Sequence, residues 1–212
     1  MKLELIVAGV GGQGSILASH LIAEAAIAYA ERTGEDVAVR VGETFGAAMR
    51  GGAVASHVRI GKVEGPLVGK GNAHVVLALE PLEGLRVGAD FLGKGSLALF
   101  NRTPIPPTDV KIGVARYPTE AEIEGAVRGL GAEIKWIDGS ALAKEAGDIR
   151  TLNVAMLGAL FGTGLLPFAE GDLTEAVRAG VPPKTVELNI KAFGLGRDTV
   201  ASGNAAGAVS GD

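Results

Sequence analysis

Four glycines and a glutamine near the amino terminus have the spacing of a site for a phosphate group. The run GVGGQGS at positions 9–15 follows an apolar stretch, and a helix-like pattern begins at Ser15. Such a strand–turn–helix unit directs backbone N–H groups and the positive end of a helix dipole towards one point. The candidate ligand-binding residues of this glycine loop are Gly9, Gly11, Gly12, Gln13 and Gly14.

Each residue of the glycine loop has an expected role. Gly9 would permit a sharp turn, and Gly11 and Gly12 would let a ligand approach the backbone closely. Gly14 would allow the helix to pack tightly on the strand, and Gln13 could donate an amide hydrogen bond to a bound group. Because 33 of the 212 residues are glycine, a tight turn that binds no ligand remains an open alternative.

A second glycine-rich segment, residues 42–59, carries two charged candidates. Glu43 and Arg50 lie among glycines directly after a predicted strand, a position at which loops often build sites on a rigid scaffold. Arg50 could bind a phosphate or a carboxylate with two parallel hydrogen bonds. Alternatively, it pairs with Glu43 and only holds the loop. Arg59, on a strand-like alternating segment, is expected at the surface or at an interface.

Glu80 and Glu83 form a further polar pair in the sequence ALEPLEGLR. They follow a predicted strand at the edge where α/β sheets carry ligands. Capping of a helix that begins at Pro81 explains them nearly as well, so both interpretations stay open.

A nicotinamide dinucleotide would need one more feature than the glycine loop. The acidic residue that binds the ribose hydroxyls usually ends the second strand, about 20 residues after the loop. Here the second predicted strand ends at Val41–Glu43, several residues late. The dinucleotide pattern is therefore incomplete. A stand-alone NAD(P)-binding reductase and a non-catalytic nucleotide-binding protein remain as alternatives.

The chain contains no cysteine and three histidines, His20, His57 and His74. A thiolate nucleophile, a disulfide and a cysteine-ligated zinc ion or iron–sulfur cluster are thus excluded on this chain. The sequence shows neither a Ser/His/Asp spacing nor a clear pair of catalytic carboxylates, so no catalytic residue and no metal site are predicted. Any redox chemistry would have to be carried by another chain.

Charge and hydropathy limit the classes of partner. A net charge of −4 and a pI near 5.5 give no general attraction to nucleic acid or to anionic membranes. Hydrophobic residues make up 47% of the chain, but charges or glycines interrupt every apolar run before the roughly 18 residues of a membrane span. The sequence lacks the pattern of a secretory signal, and a cytoplasmic location is expected.

Alternating strand and helix patterns predict an α/β fold. We expect a three-layer α/β/α sandwich with a mostly parallel, mixed sheet, a Rossmann-like first βα unit and an antiparallel insertion at residues 51–61. A single domain should span residues 1–198, and the aperiodic residues 199–212 should form a flexible tail. The predicted strands are residues 3–10, 36–43, 53–61, 73–81, 96–101, 110–118 and 133–138, and the predicted helices are residues 15–34, 119–131, 148–164, 173–180 and 182–196.

Five stretches together resemble the small, gamma-type subunit of 2-oxoacid:ferredoxin oxidoreductases and, within that family, the beta subunit of the indolepyruvate enzymes. The stretches are VAGVGGQGSILAS, ETFGAAMRGGAVASHVRIG, ALEPLEGLR, LNVAMLGAL and VPPKTVELNIKAFGLG. The resemblance covers residues 3–197. One departure is TFGAAMRGG, where relatives tend to carry a histidine before the glycine and a glutamine before the arginine.

The resemblance implies a division of labour between subunits. In this family a large subunit carries thiamine diphosphate and 4Fe-4S clusters, oxidatively decarboxylates the 2-oxoacid, reduces ferredoxin and releases an acyl-CoA. The small chain would bind no cofactor alone and would dock on that large subunit as part of a hetero-oligomer. By this resemblance, the residues expected to face coenzyme A or the mouth of the partner's active site are Gly11, Gly12, Gln13, Gly14 and Arg50.

Overall fold

The computed structural model describes residues 2–46 and 52–207, and for residues 202–207 it describes the backbone alone. Arg50 and residues 47–51 as a whole lie outside the described residues, as do residues 208–212. In the described ranges the strands are β1 (Lys2–Val10), β2 (Ala38–Phe45), β3 (Ala53–Gly61), β4 (Val75–Ala78), β5 (Leu97–Asn101) and β6 (Glu133–Ile137), and the helices are α1 (Ser15–Thr33), α2 (Pro81–Phe91), α3 (Thr108–Lys111), α4 (Glu120–Gly129), α5 (Gly139–Ala146), α6 (Leu152–Gly162), α7 (Glu170–Gly180) and α8 (Val186–Gly207).

The six described strands form one mixed sheet in the order β2-β3-β1-β4-β5-β6. Strands β1, β4, β5 and β6 are mutually parallel, whereas β3 runs antiparallel to both β1 and β2. Val7 of β1 lies between Ser56 on one side and Leu77 on the other. The predicted antiparallel insertion is confirmed as β3, which separates β2 from β1.

Helices cover both faces of the sheet and make it the central layer. Alternate residues of β1 point to opposite faces, so Leu5 and Val7 join one hydrophobic cluster while Ile6 and Ala8 join the other. This is the two-residue period of a strand that is buried on both sides. Helices α1, α6, α7 and α8 contribute to the first cluster, and α2 and α4 to the second. The predicted three-layer α/β/α fold is confirmed.

Glycines allow α6 and α8 to pack backbone against backbone. A Cβ atom added at Gly196 would lie 1.9 Å from the carbonyl oxygen of Ala155, and one added at Gly158 would lie 2.0 Å from that of Phe193. Helix α6 is buried at every position from Leu152 to Leu160. Only the absence of a side chain permits this approach, so the pair forms a rigid support beneath the sheet.

Two predicted segments differ from the structure. The strand predicted at residues 110–118 is wrong: the short helix α3 ends at Lys111, and turns and irregular backbone follow. Ile112 and Val114 are exposed and Val110 is half-buried, because the segment does not join the sheet. Helix α8 continues to Gly207, beyond the last periodic residues, while the domain limit at residue 198 and a flexible tail at residues 199–212 stay predictions.

Candidate functional site

A cavity of about 360 Å³ opens at the carboxyl edge of the sheet. The chain leaves β1 towards α1 on one face and leaves β4 towards α2 on the other, so β1 and β4 flank a topological switch point. Open α/β sheets bind ligands in the crevice that such a switch creates. The polar residues that line the cavity include Gly12, Gln13, Asn101, Ser140, Lys144 and Arg150.

The glycine loop adopts backbone angles that side chains disfavour. Gly12 has φ +104° and Gly14 has φ +81°, in the left-handed region that glycine enters without strain. Gly14 caps α1, and no side chain forms a hydrogen bond at this cap. The first-turn N–H groups of α1 therefore have no capping side chain, an arrangement that suits an anion.

Gly9 lies within β1 and not in the turn, which corrects its expected role. A Cβ atom at Gly9 would lie 2.8 Å from Oε1 of Gln13, so this glycine makes room for the glutamine side chain. The Gln13 oxygen accepts a hydrogen bond from the N–H of Val10 at 2.9 Å. Its amide nitrogen donates to the carbonyl oxygen of Leu79, also at 2.9 Å. Gln13 thus ties the glycine loop to the end of β4.

Two buried asparagines, which the sequence analysis did not select, hold the same loop. Asn101, at the end of β5, donates to the Leu79 carbonyl oxygen at 3.0 Å, so this oxygen accepts from two side-chain amides. Asn153, on α6, donates to the carbonyl oxygen of Gly14 at 3.2 Å. A polar residue ending an apolar strand was the only sequence signal for Asn101. The long-range partner of Asn153 left no local signal.

Two cations stand beside the glycine loop, although neither was selected from the sequence. Arg150 pairs with Asp148, and hydrogen bonds from the Arg150 side chain and backbone N–H lower the pKa of that carboxyl to about 2. Lys144 lines the same cavity from α5, and within residues 2–46 and 52–201 we find no ion-pair or hydrogen-bond partner for its ammonium group. Lys144 is therefore a positive charge available to an anionic ligand.

The second glycine-rich segment meets the glycine loop through its backbone. The N–H of Gly11 donates to the carbonyl oxygen of Gly52 at 2.9 Å. Glu43 does not line the cavity; its Oε1 atom lies 3.4 Å from Nε2 of His20 on α1. A pair between Glu43 and Arg50 cannot be described, because Arg50 is outside the described residues.

The other histidines and Arg59 have structural partners. Nδ1 of buried His57 accepts from the N–H of Val68, and Nδ1 of His74 accepts from the N–H of Glu4. Arg59 was expected at the surface or an interface, but its side chain is mostly buried and pairs with Glu4. Burial by itself raises the pKa of the Glu4 carboxyl, and the bonds from Arg59 and Lys2 outweigh that effect and lower it.

Glu80 is a buried structural acceptor. One of its oxygens caps α2 by accepting from the N–H of Glu83 at 2.9 Å, which confirms the capping interpretation. The other accepts from the N–H of Ile105 at 3.1 Å and from the hydroxyl of Tyr117. Burial and this hydrogen bond raise the pKa of Tyr117. Both carboxylate oxygens accept hydrogen bonds, so Glu80 fixes the surrounding loops.

The part of the chain that the structure describes has neither a metal site built from clustered side chains nor a membrane-spanning helix. No group of three or more His, Asp or Glu side chains there could hold a metal ion. No helix there is both long and apolar enough to cross a bilayer.

Known proteins resemble this chain over nearly its full length. The sequence model of the family "Pyruvate ferredoxin/flavodoxin oxidoreductase" matches residues 4–199. "Indolepyruvate oxidoreductase subunit IorB" of Archaeoglobus fulgidus is 41% identical, over 96% of this chain and 98% of that protein. The protein of the same name from Thermococcus kodakarensis is 42% identical, over 92% and 94%. "2-oxoglutarate synthase subunit KorC" of Methanothermobacter marburgensis is 26% identical, over 96% and 99%.

Solved structures share the fold. The gamma subunit of a keto/oxoacid ferredoxin oxidoreductase from Geobacter sulfurreducens superposes with a TM-score of 0.66 at 26% identity, over 95% of this chain and 99% of that one. The 2-oxoglutarate:ferredoxin oxidoreductase of Magnetococcus marinus gives a TM-score of 0.68 at 24% identity. There the match spans 95% of this chain but 31% of the longer one, so the same fold also occurs as a segment of a larger polypeptide.

Proposed function

The chain belongs to the pyruvate ferredoxin/flavodoxin oxidoreductase family, and from that premise we propose that it docks on a large catalytic subunit and helps to bind coenzyme A. Its homologues are small subunits of 2-oxoacid:ferredoxin oxidoreductases, which act as parts of complexes. We assign the chain to an enzyme of the indolepyruvate type, since the relatives of that name share 34–42% identity with it.

The reaction needs groups that this chain lacks. Oxidative decarboxylation of a 2-oxoacid requires a group that stabilises a carbanion, the role of thiamine diphosphate, and iron–sulfur clusters to pass electrons to ferredoxin. A chain without cysteine cannot ligate such clusters through thiolates. We therefore place thiamine diphosphate and the 4Fe-4S clusters on the large subunit, where the 2-oxoacid reacts and ferredoxin is reduced in a cytoplasmic hetero-oligomer.

The cavity beside the glycine loop supports a role in binding coenzyme A. Coenzyme A carries three phosphate groups, and the cavity is lined by Gly12 and Gln13 just before the start of α1, by Lys144 and by Arg150. Together these groups would stabilise a phosphate by hydrogen bonding and by charge. The observation that carries this proposal is the combination of an uncapped helix start with Lys144, whose ammonium group has no partner among the residues that the structure describes.

Replacement of Lys144 tests the coenzyme A proposal. In the complex reconstituted with the large subunit, Lys144→Ala should raise the KM for coenzyme A by roughly 5- to 20-fold, the loss of one charge-assisted hydrogen bond of about 1–2 kcal/mol. The KM for the 2-oxoacid should change less than twofold. Lys62→Ala, an exposed lysine beyond the opposite edge of the sheet, is the matched control. An unchanged KM for coenzyme A would remove Lys144 from the site.

Arg50 belongs to the same proposal. Arg50 precedes Gly52 by two residues in the chain, and the carbonyl oxygen of Gly52 accepts a hydrogen bond from the N–H of Gly11 in the glycine loop. Arg50→Ala in the same assay should raise the coenzyme A requirement if the side chain faces the ligand. If the stability of the complex falls instead and the KM stays constant, Arg50 belongs to the subunit interface.

The alternative is a stand-alone NAD(P)-binding reductase, and a non-catalytic nucleotide-binding protein is a related possibility. In the usual dinucleotide site the second strand lies beside the first, whereas here β3 lies between them. The acidic residue at the end of β2, Glu43, contacts His20. Titration with NADH, followed by fluorescence, separates the proposals, because a dehydrogenase should bind it at micromolar concentration.

A further inference from the structure

Residues 102–118 form a surface projection between β5 and α4. Every residue of this segment is exposed or half-buried. Two of its aliphatic side chains are among the most exposed of the described residues, Ile112 at 66% and Val114 at 75%. Contiguous exposed apolar surface marks sites of protein–protein contact, and Ile112 and Val114 lie only two residues apart in the chain. We call residues 106–116 the knob.

The base of the knob is clamped to the protein core. The buried Glu80 carboxylate accepts a hydrogen bond from the N–H of Ile105, where the chain enters the projection. It accepts another from the hydroxyl of Tyr117, where the chain leaves it. Arg116 donates two hydrogen bonds to Glu122 on α4. Both ends of the projection are thus fixed by contacts that leave the apolar tip uncovered.

The knob itself is held by local backbone bonds. Lys111 donates to the carbonyl oxygen of Pro107, Ile112 to that of Thr108, and Val114 to that of Asp109. The adjacent prolines at 106 and 107 restrict the backbone further. A projection that is rigid before it meets a partner loses little conformational entropy on binding.

We propose that the knob inserts into an apolar recess of the large catalytic subunit. The inference rests on the proposed function, which supplies that partner. The position of the cavity indicates which partner binds the knob. Thr103 and Ile105, at the base of the projection, line the cavity beside the glycine loop. Ile149, which is 46% exposed, lines the same cavity. A partner that holds the knob down to its base at Thr103 and Ile105 would lie next to the cavity, where the large subunit must reach coenzyme A.

A paired charge substitution tests this docking contact. We expect Ile112→Asp combined with Val114→Asp to weaken binding of the chain to the large subunit at least tenfold, measured by isothermal titration calorimetry. The milder pair Ile112→Ser with Val114→Ser should weaken it in the same direction. The thermal melting temperature of the free chain should stay within a few degrees of the unsubstituted value, because neither side chain is buried in it.

Two other exposed aliphatic residues provide the control. Ile27 is 42% exposed on α1 and Leu165 is 46% exposed after α6; their paired replacement by Asp should change the dissociation constant less than threefold. Unchanged binding by both knob variants would overturn the proposal. A free chain that loses self-association in these variants, with unaltered binding to the large subunit, would assign the knob to a second copy instead. If the unsubstituted chain fails to bind the large subunit, the proposed function itself is overturned.

Discussion

Side-chain amides, and not charged groups, determine the shape of the glycine loop at the scale of single residues. Gln13 and Asn101 share the carbonyl oxygen of Leu79, while Asn153 binds that of Gly14. Neutral amides bring no charge of their own into the site, so the positive end of α1 and the nearby cations keep their effect on a ligand. These amides therefore hold the loop in place without adding a charge to it.

Single alanine substitutions at two glycines of the loop should distinguish the cost of backbone strain from the cost of steric overlap. Gly12→Ala should lower the free energy of unfolding by about 1–2 kcal/mol, since its φ is positive and nothing lies within 4 Å of the added Cβ. Gly14→Ala should lower the free energy of unfolding by about 1–3 kcal/mol more than Gly12→Ala does, because its Cβ would also lie 2.7 Å from Nδ2 of buried Asn153. Urea unfolding of the free chain measures both values. Equal losses would contradict the claim that Asn153 fixes the loop.

At the scale of elements, the packing of α6 against α8 fixes the position of residues beside the site. Helix α6 is apolar on all sides because α8 covers it on one side and the sheet layer on the other. Asn153 and Arg150, near the start of α6, are therefore placed by a helix with little freedom to shift. The precision of the site depends on the glycines that let the two helices touch.

Alanine substitutions at two glycines of α8 should change the stability of the chain in opposite directions. Gly196→Ala would place a Cβ 1.9 Å from the Ala155 carbonyl oxygen, and the helices would have to separate at a cost of about 3 kcal/mol or more. Gly194→Ala, with nothing within 4 Å of its Cβ, should stabilise the chain by up to about 1 kcal/mol through helix propensity. Thermal or urea unfolding gives the comparison. Stabilisation by both substitutions would show that the close approach of the helices is not required.

At the scale of the whole molecule, the features that we propose to be functional lie along one edge of the sheet. The cavity, the glycine loop and the base of the knob all lie at the carboxyl edge of the parallel strands, whereas Lys62 and the amino ends of these strands lie at the other edge. A chain with one such functional edge and no cysteine is suited to complete a site on another protein.

Activity should therefore depend on the second subunit. The purified chain alone should show no measurable reduction of ferredoxin with indolepyruvate, phenylpyruvate or pyruvate, because we place the thiamine diphosphate and the iron–sulfur clusters on the large subunit. Addition of the large subunit should produce turnover that saturates at a fixed ratio of the two chains. Appreciable turnover by the free chain would contradict the division of labour.

The sequence by itself determined the α/β class, the start of α1 at the glycine loop and the exclusion of thiolate chemistry, since these depend on local periodicity and residue counts. It also offered the capping of α2 by Glu80, because the helix begins at the next residue, Pro81. Only the tertiary structure decided that β3 separates β2 from β1, that Asn153 reaches Gly14, and that Lys144 and Arg150 share a cavity with Gln13. These relations join residues far apart in the chain, and no local pattern specifies which distant segments will meet when the core is buried.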